Sequence, residues 1–348
     1  MPRRDQMIAG SICDSITTSS FPQRGSYAAY FWAYWLPYAC LHEDDVFSPL
    51  REIWGITEDD YRESFGVDFP KRHRHRSLKP MGDMGFSGST FFTTTDEKYL
   101  VKSVPRQFEY SFFRDDLMLP YAEHMRQHTT SLLVRITDFL ENTQISIGWL
   151  FGLAPSHHIV MENLLYGQSQ DKETRKVEKW ETWDLKPTSY FYPERDIANG
   201  ALTSQATKDK LADTFKDKLV LSHENAASFR AQLQTDTALL ADLNAVDYSL
   251  FLVRIPGANA DVPLEPPIVP PEAPTWRTGI RSADEKYIYR ASLLDFFWAK
   301  HKTSAKAMEA LIKAYNVVDQ QGPMSVTTHS SEYRERFLKM VEEMIEVR

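Results

Sequence analysis

Three residues, well separated along the chain, stand in settings that solvated side chains seldom occupy. Lys102 lies within a strand-like run, Leu100-Val101-Lys102-Ser103-Val104. Asp247 lies inside Leu243-Asn244-Ala245-Val246-Asp247-Tyr248-Ser249-Leu250, and Asp295 is the one charge in Leu293-Leu294-Asp295-Phe296-Phe297. A lysine that holds phosphates, a carboxylate that takes a proton from a nucleophile and a carboxylate that binds Mg²⁺ form the minimum set for phosphoryl transfer. A buried lysine must be paired or face a cleft, because burying it alone costs too much. The same holds for Asp295, whose apolar neighbours imply a paired or metal-bound charge.

Each residue also has a plainer explanation. Strand-end lysines are common on surfaces, and an aspartate ahead of a strand often caps a turn. Asp184 and Lys186 stand two apart in Asp184-Leu185-Lys186, so on a strand both face one side. That pair could be a local ion bridge contributing about 0–1 kcal/mol if exposed. Gly85, Ser87, Gly88 and Ser89 let a backbone approach a phosphate closely and offer donors, yet a hairpin turn with no ligand has the same composition.

The elements that must position these residues follow from periodicity. Residues 1–40 carry no strong period and read as a tail with one helix over 8–16. Phe47, Leu50, Ile53 and Trp54 recur at helical spacing, and Thr57 to Tyr61 resembles a capped helix start. Strands are expected over 90–95 and 99–104, joined by a turn, and over 131–140, 145–150 and 159–165. A helix over 108–128 has Phe112, Leu119, Ala122 and Met125 available for a buried face. Residues 167–180 read as a long polar hairpin loop, and 208–247 returns to helical periodicity. Residues 262–274 hold six prolines, which implies an extended surface excursion. Short strands over 287–289 and 293–297 and a closing amphipathic helix over 332–347 complete the reading.

Composition narrows the partners. The 348 residues are 42% hydrophobic, 25% charged and 13% aromatic, with a net charge of −8. Those shares suit a soluble globular chain with a sizeable core. The net negative charge disfavours nucleic acid, which is held mainly by Lys and Arg. One basic cluster stands against that background, Lys71-Arg72-His73-Arg74-His75-Arg76 followed by Lys79. It reads either as a solvated connector or as a contact for anionic lipid, where each basic side chain adds about 1 kcal/mol. No apolar run reaches the roughly 18 residues of a membrane span, and no apolar leader follows Met1. Two cysteines, Cys13 and Cys40, are too few for a disulfide framework. No His-Glu-x-x-His or Gly-x-Ser-x-Gly pattern occurs, so zinc and serine-hydrolase chemistry are not expected. The expected location is the cytoplasm, peripheral on a membrane surface.

With these residues in place, the chain resembles the phosphatidylinositol phosphate kinase family from about Phe47 to its end. Ser87-Gly88-Ser89 through Asp96 to Lys102 fits that family's nucleotide loop and lysine strand. Val160-Met161-Glu162-Asn163-Leu164-Leu165-Tyr166-Gly167 looks like its hinge segment. Asp184-Leu185-Lys186 matches the start of its Asp-Leu-Lys-Gly-Ser motif, and the segment around Asp247 is similar to its Met-Asp-Tyr-Ser-Leu-Leu. Leu293-Leu294-Asp295 stands where the family has Ile-Ile-Asp, and Tyr333-Arg334-Glu335-Arg336-Phe337 echoes its closing helix.

The resemblance implies an α+β fold of two kinase-like lobes, with antiparallel sheets, packed helices and ATP in the cleft between them. The first lobe would run over 41–163. The second would run over 164–348, with the proline-rich insert at 262–274 and a specificity segment at 300–324. Lys102, with Ser87, Gly88 and Ser89, would bind ATP phosphates, and Met161 and Asn163 would lie near the adenine. Asp247 would be the catalytic aspartate, Lys186 would meet the transferring or substrate phosphate, and Asp295 would ligate Mg²⁺. Lys306 and Glu309 would contact the lipid headgroup, with Glu309 the acidic choice of 5-kinases. The implied substrate is a phosphatidylinositol monophosphate, with a slight lean to the branch using the 3-phosphate; the implied cofactors are ATP and Mg²⁺.

Two departures bear on activity. Pro187 replaces the motif glycine and removes an amide donor, and Ala307 replaces a lysine of the specificity segment. They support a rival reading, an adaptor of pseudokinase type that binds nucleotide or phosphoinositide. A kinase for soluble inositol phosphates or protein is a third reading, favoured if the chain fails to bind anionic vesicles.

Overall fold

The computed structural model describes residues 3–18, 39–40, 44–83, 90–104, 106–141, 157–174, 180–187, 213–256, 275–299 and 329–348. The expected strand over 145–150, the proline-rich insert and the specificity segment lie outside them, as do Ser87, Gly88, Ser89, Lys306 and Glu309. The chain forms two compact units. Its antiparallel sheets and several helices make it α+β. One unit holds residues up to Tyr110 and Arg135–Tyr166; the other holds Ser111–Val134, Gly167–Pro266 and Ala273–Arg348.

The first unit begins with α1 (Arg3–Thr17), longer than the segment read from sequence. Ile8, Ala9, Ile12, Cys13 and Ile16 recur at helical spacing and are buried. Helix α1 packs on a 3₁₀ helix, Lys71–Ser77, which carries the basic cluster. Asp14 reaches Arg74 at 3.2 Å and Lys71 at 4.0 Å, while Arg72 and Arg76 stay exposed. Helices α2 (Asp44–Ile53) and α3 (Glu58–Ser64) follow β1 (Ala39–Cys40). Phe47, Leu50 and Trp54 are buried as their spacing predicts, whereas Ile53 is exposed. Thr57 caps α3 by accepting from the Asp60 amide at 3.1 Å.

A six-stranded sheet dominates this unit, in the order β1-β5-β6-β4-β3-β2. Its further strands are β2 (Leu78–Asp83), β3 (Thr90–Thr94), β4 (Tyr99–Val104), β5 (Ile136–Glu141) and β6 (His157–Glu162), all paired antiparallel. Central β6 is buried throughout. It encloses His158, which shows no exposed surface. Burial, and then the neighbouring His157, pushes the His158 imidazole down to about 3. The unfolded chain therefore binds a proton that the native state refuses between about pH 6.5 and 3. Stability should fall as pH drops through that window, by about 2 kcal/mol at pH 5 from this group alone. Urea unfolding at pH 7 and pH 5 checks this: His158→Leu should lose less than the unaltered chain, and equal losses would remove His158 as the cause.

The helix expected over 108–128 is interrupted. Helix α4 (Gln107–Phe112) passes into a π turn, Phe113–Leu117, and then α5 (Met118–Gln127). Pro120 has no N–H to donate, and the wider turn just ahead of it accommodates that loss. Phe112, Ala122 and Met125 are buried, but Leu119 is exposed. Residues 168–174, expected to be part of a loop, form α6 (Gln168–Thr174) instead. Its buried Asp171 accepts from the Trp180 indole, nine residues on, at 2.8 Å.

The second unit is built on a four-stranded antiparallel sheet, β11-β12-β10-β7. Its strands are β7 (Glu181–Leu185), β10 (Ser249–Pro256), β11 (Ile280–Arg281) and β12 (Tyr287–Leu294). Among the described residues, the helical reading of 208–247 holds over α7 (His223–Asp242), capped by Ser222. Upstream, β8 (Leu219–Leu221) pairs parallel with β14 (Ile345–Val347), which follows α8 (Ser330–Met344). Two short strands, β9 (Ala245–Val246) and β13 (Trp298–Ala299), pair with each other.

A buried polar knot fastens residues 131–134. Asp236 of α7 accepts from the Leu132 amide at 2.6 Å and the Ser131 hydroxyl at 2.8 Å, and meets His124 Nε2 at 2.6 Å. Arg277 donates to the carbonyls of Ser131 and Leu133. The fastened segment in turn holds β12: Leu293 donates to the Leu132 carbonyl at 2.7 Å and accepts from the Val134 amide at 3.1 Å.

Candidate active site

Register brings one edge of the second unit's sheet to a chemical focus. Leu250 pairs with Leu185 on one side and Leu293 on the other. The end of β7, the start of β10 and the end of β12 therefore lie side by side. Lys186 leaves β7 there, Asp247 precedes β10 and Asp295 follows β12. The β9–β13 pairing couples the two turns further, with Val246 opposite Trp298.

Both aspartates have left-handed backbone, φ +66° at Asp247 and +61° at Asp295. Few residues other than glycine accept that region, and Asp is among them because its short side chain bonds locally. The strand expected over 293–297 thus ends at Leu294, and the chain turns at Asp295. Phe296 and Phe297 beyond it are buried against Tyr121 and Phe113, which holds the turn from its other side.

Lys186 Nζ lies 3.2 Å from Asp247 Oδ1, both half-buried. In place of the local bridge that Asp184 could offer, Lys186 pairs with Asp247. Burial alone would push the Lys186 pKa down; Asp247, Asp295 and Asp184 together more than offset it and hold the ammonium above its ordinary range. Asp184 is open to water yet surrounded by protein. That desolvation, with Asp295 and Asp213, raises its pKa against the pull of Lys186. Its backbone amide donates to Asp213 at 2.8 Å, a cap that sequence reasoning missed and that no local motif signals. Three carboxylates surround one ammonium, leaving a negative surplus that suits a divalent cation. Among the described residues no three His, Cys, Asp or Glu side chains gather closely enough to hold a metal alone. Mg²⁺ in phosphoryl transfer needs only one or two carboxylates beside substrate phosphates and water, so the residues fit, and Asp295 would hold the ion.

The first unit holds the other assigned residues. Lys102 sits on β4 opposite Phe91 and Ile159, nearly buried, with Nζ 5.6 Å above the Phe91 ring. Met161 pairs with Leu100, so Lys102 and Met161 share one face of the sheet. Asn163 Nδ2 donates to the Glu97 carbonyl at 2.8 Å, and its Oδ1 accepts from the Leu165 amide at 3.0 Å. Its side chain is therefore committed to fixing backbone. Asp83 and Thr90, which flank the segment carrying Ser87, Gly88 and Ser89, are register partners. Glu109 bridges Arg106 at 3.0 Å and Asp115 bridges Arg114 at 2.9 Å.

The family model for phosphatidylinositol-4-phosphate 5-kinase matches residues 73–262, more than half of the chain. The chain belongs to the phosphatidylinositol-4-phosphate 5-kinase family. Its relatives within that family are distant. It is 26% identical to mouse phosphatidylinositol 4-phosphate 5-kinase-like protein 1 over 60% of this chain and 46% of that one. A probable phosphatidylinositol phosphate kinase of Dictyostelium discoideum is 27% identical, over 60% of this chain and 26% of its own. Human phosphatidylinositol 4-phosphate 5-kinase type-1 beta is 26% identical, over 60% and 34%. The chain thus spans half or less of the length of the curated relatives it matches. Lys102, Asp184, Lys186 and Asp247 fall within the segment that the family model matches, and Asp295 lies beyond that match, joined to it by the pairing of β10 with β12. No helix among the described residues is long and apolar enough to cross a membrane.

Proposed function

We propose that this family member is an ATP- and Mg²⁺-dependent lipid kinase that phosphorylates the inositol ring of a phosphatidylinositol monophosphate at the 5-position. The observation that carries the reading is the Lys186–Asp247 pair at 3.2 Å beside Asp295. In the proposed reaction a ring hydroxyl oxygen attacks the γ-phosphorus of ATP, and the bond from that phosphorus to the β,γ-bridging oxygen breaks. The hydroxyl proton passes to Asp247, and ADP departs with the bridging oxygen. Lys186 orients Asp247 and offers its ammonium to the moving phosphate. Lys102 holds ATP phosphates with the Ser87-Gly88-Ser89 backbone, and Met161 and Asn163 border the adenine. Asp295 would hold Mg²⁺, which would supply charge neutralisation for the transferring phosphate. Lys306 and Glu309 are assigned to the lipid headgroup.

The chain is proposed to work at the cytoplasmic face of an anionic membrane. Asp14 engages Arg74 and Lys71, so Arg72 and Arg76, exposed on the 3₁₀ helix, are the side chains offered to lipid. Replacing both with alanine should weaken sedimentation with phosphatidylserine vesicles at low salt and change little at high salt, because such contacts are screened. Equal sedimentation at low salt would return the cluster to a connector.

A second reading has one observation in its favour. Pro187, buried directly after Lys186, has no amide to give a phosphate, which suits an adaptor that binds without turnover. Radiolabelled transfer from Mg²⁺-ATP to vesicles of each phosphatidylinositol monophosphate separates the two. Label on one lipid, lost in Asp247→Asn, supports the kinase and names its substrate. Absence of label despite ATP binding overturns it.

A further inference from the structure

Asp247 is held from both sides along the backbone. Before it, Val246 pairs with Trp298. After it, the carbonyl of fully buried Tyr248 accepts a hydrogen bond from the Tyr333 hydroxyl of α8. Tyr248 lies ahead of the β10 ladder, and a buried carbonyl there needs a donor from elsewhere. Tyr333 is itself fully buried, its ring edge-on to Tyr248 at 4.7 Å, and Phe337 packs on Tyr248 at 5.0 Å.

Helix α8 is a fixed platform for that hydroxyl. Ser330 donates to the Ala241 carbonyl at 2.8 Å, Arg334 reaches Gln234 Oε1 at 2.6 Å and Thr237 at 3.1 Å, and Arg230 grips Glu342 at 2.7 and 2.8 Å. All four contacts bind α8 to α7, the helix that leads into the Asp247 turn.

The geometry points to Tyr333 as a positioning residue for Asp247. Its hydroxyl fixes the Tyr248 carbonyl, and with it the left-handed turn from which the Asp247 carboxylate meets Lys186. The catalytic consequence rests on the kinase reading above. Without the hydroxyl, the Tyr248 peptide loses its buried donor and the carboxylate leaves its place. Misplacement of about 1 Å can cost a hundredfold in rate.

The test uses the full chain with Tyr333→Phe, and with Phe337→Leu as a variant that loosens the same aromatic cluster while leaving the hydrogen bond. Two quantities are read: the ¹³Cγ resonance of Asp247, assigned by its loss in Asp247→Asn, and kcat with KM for ATP on monophosphoinositide vesicles. Tyr333→Phe should shift the resonance and lower kcat about ten- to a hundredfold, with KM for ATP within about twofold. Phe337→Leu should lower Tm while leaving resonance and kcat in place. An unmoved resonance in Tyr333→Phe overturns the inference. So does a moved resonance with unchanged kcat, or an equal kcat loss in Phe337→Leu. If the unaltered chain transfers no phosphate, the kinase reading fails by itself. The resonance then decides alone: a shift keeps Tyr333 as the anchor of Asp247, and no shift removes it.

Discussion

Asp295→Asn is expected to abolish Mg²⁺-ATP turnover, by about a thousandfold or more, while Tm stays within a few degrees. The magnitude follows from the several kcal/mol of charge stabilisation that a correctly held divalent ion supplies to phosphoryl transfer. Asparagine preserves the fold because it tolerates the +61° φ at this turn and keeps a short side chain that bonds locally. Removing one of three carboxylates around Lys186 also relieves repulsion, so no large loss of stability should accompany the loss of activity. The check is initial-rate kinetics beside a thermal melt of the same preparation. Retained turnover would refute the metal role.

Lys186→Met should be nearly as damaging to activity and more damaging to the fold. The substitution keeps the side chain's bulk but withdraws the ammonium from among Asp184, Asp247 and Asp295. Two effects follow. The proposed phosphate contact is lost, which costs about a hundredfold or more in kcat. The three carboxylates are also left without the cation at their centre. For a pair still partly open to water, that should destabilise by about 1–2 kcal/mol, less than for a fully buried pair. The sign with pH can be worked out from Asp184, whose pKa already lies above the ordinary carboxylate value and is held down by Lys186. With Lys186 gone it rises further. The native state then binds more protons than the unfolded chain in the window above the ordinary carboxylate pKa, so stability is gained as pH falls. The deficit of Lys186→Met should therefore be widest near neutrality and narrow on acidification. Urea midpoints between pH 7 and pH 5 would show it. A deficit that widens towards acid would sink this account of the cluster.

The charged residues that sequence singles out are easier to read than the backbone that carries them. Asp295 stood out because one carboxylate in an apolar pentapeptide is costly unless partnered, and it does lie at a charged focus. Its backbone departs from the strand that the apolar run imitates, and the positive φ shows that the chain turns there. Lys186 seemed to belong to Asp184 because alternation along a strand places them on one side. The structure gives it Asp247, a partner that depends on β10 lying beside β7. Local signals with a self-contained mechanism, such as the Thr57 cap and the β3–β4 hairpin, were legible to within a residue or two. What long-range pairing decides was not. Strand β14 is three residues long and exists because β8 lies alongside. Asp236 seals its knot through residues more than a hundred positions away.

The ladder between β10 and β12 has a practical consequence for anyone who would excise the part of this chain that the family model matches. All eight residues of β10, Ser249 to Pro256, find their opposite numbers between Tyr287 and Leu294. The match to the family model stops at residue 262 and begins at residue 73, within the 3₁₀ helix on which α1 packs. A fragment trimmed to those limits would carry β10 with one flank stripped of its amide and carbonyl partners, an open template for self-association. It would also uncover the surface that Ile8, Ile12 and Ile16 help to seal. The stretch that the family model matches is shorter than the stretch that these ladders tie together, and expression boundaries belong where the ladders end.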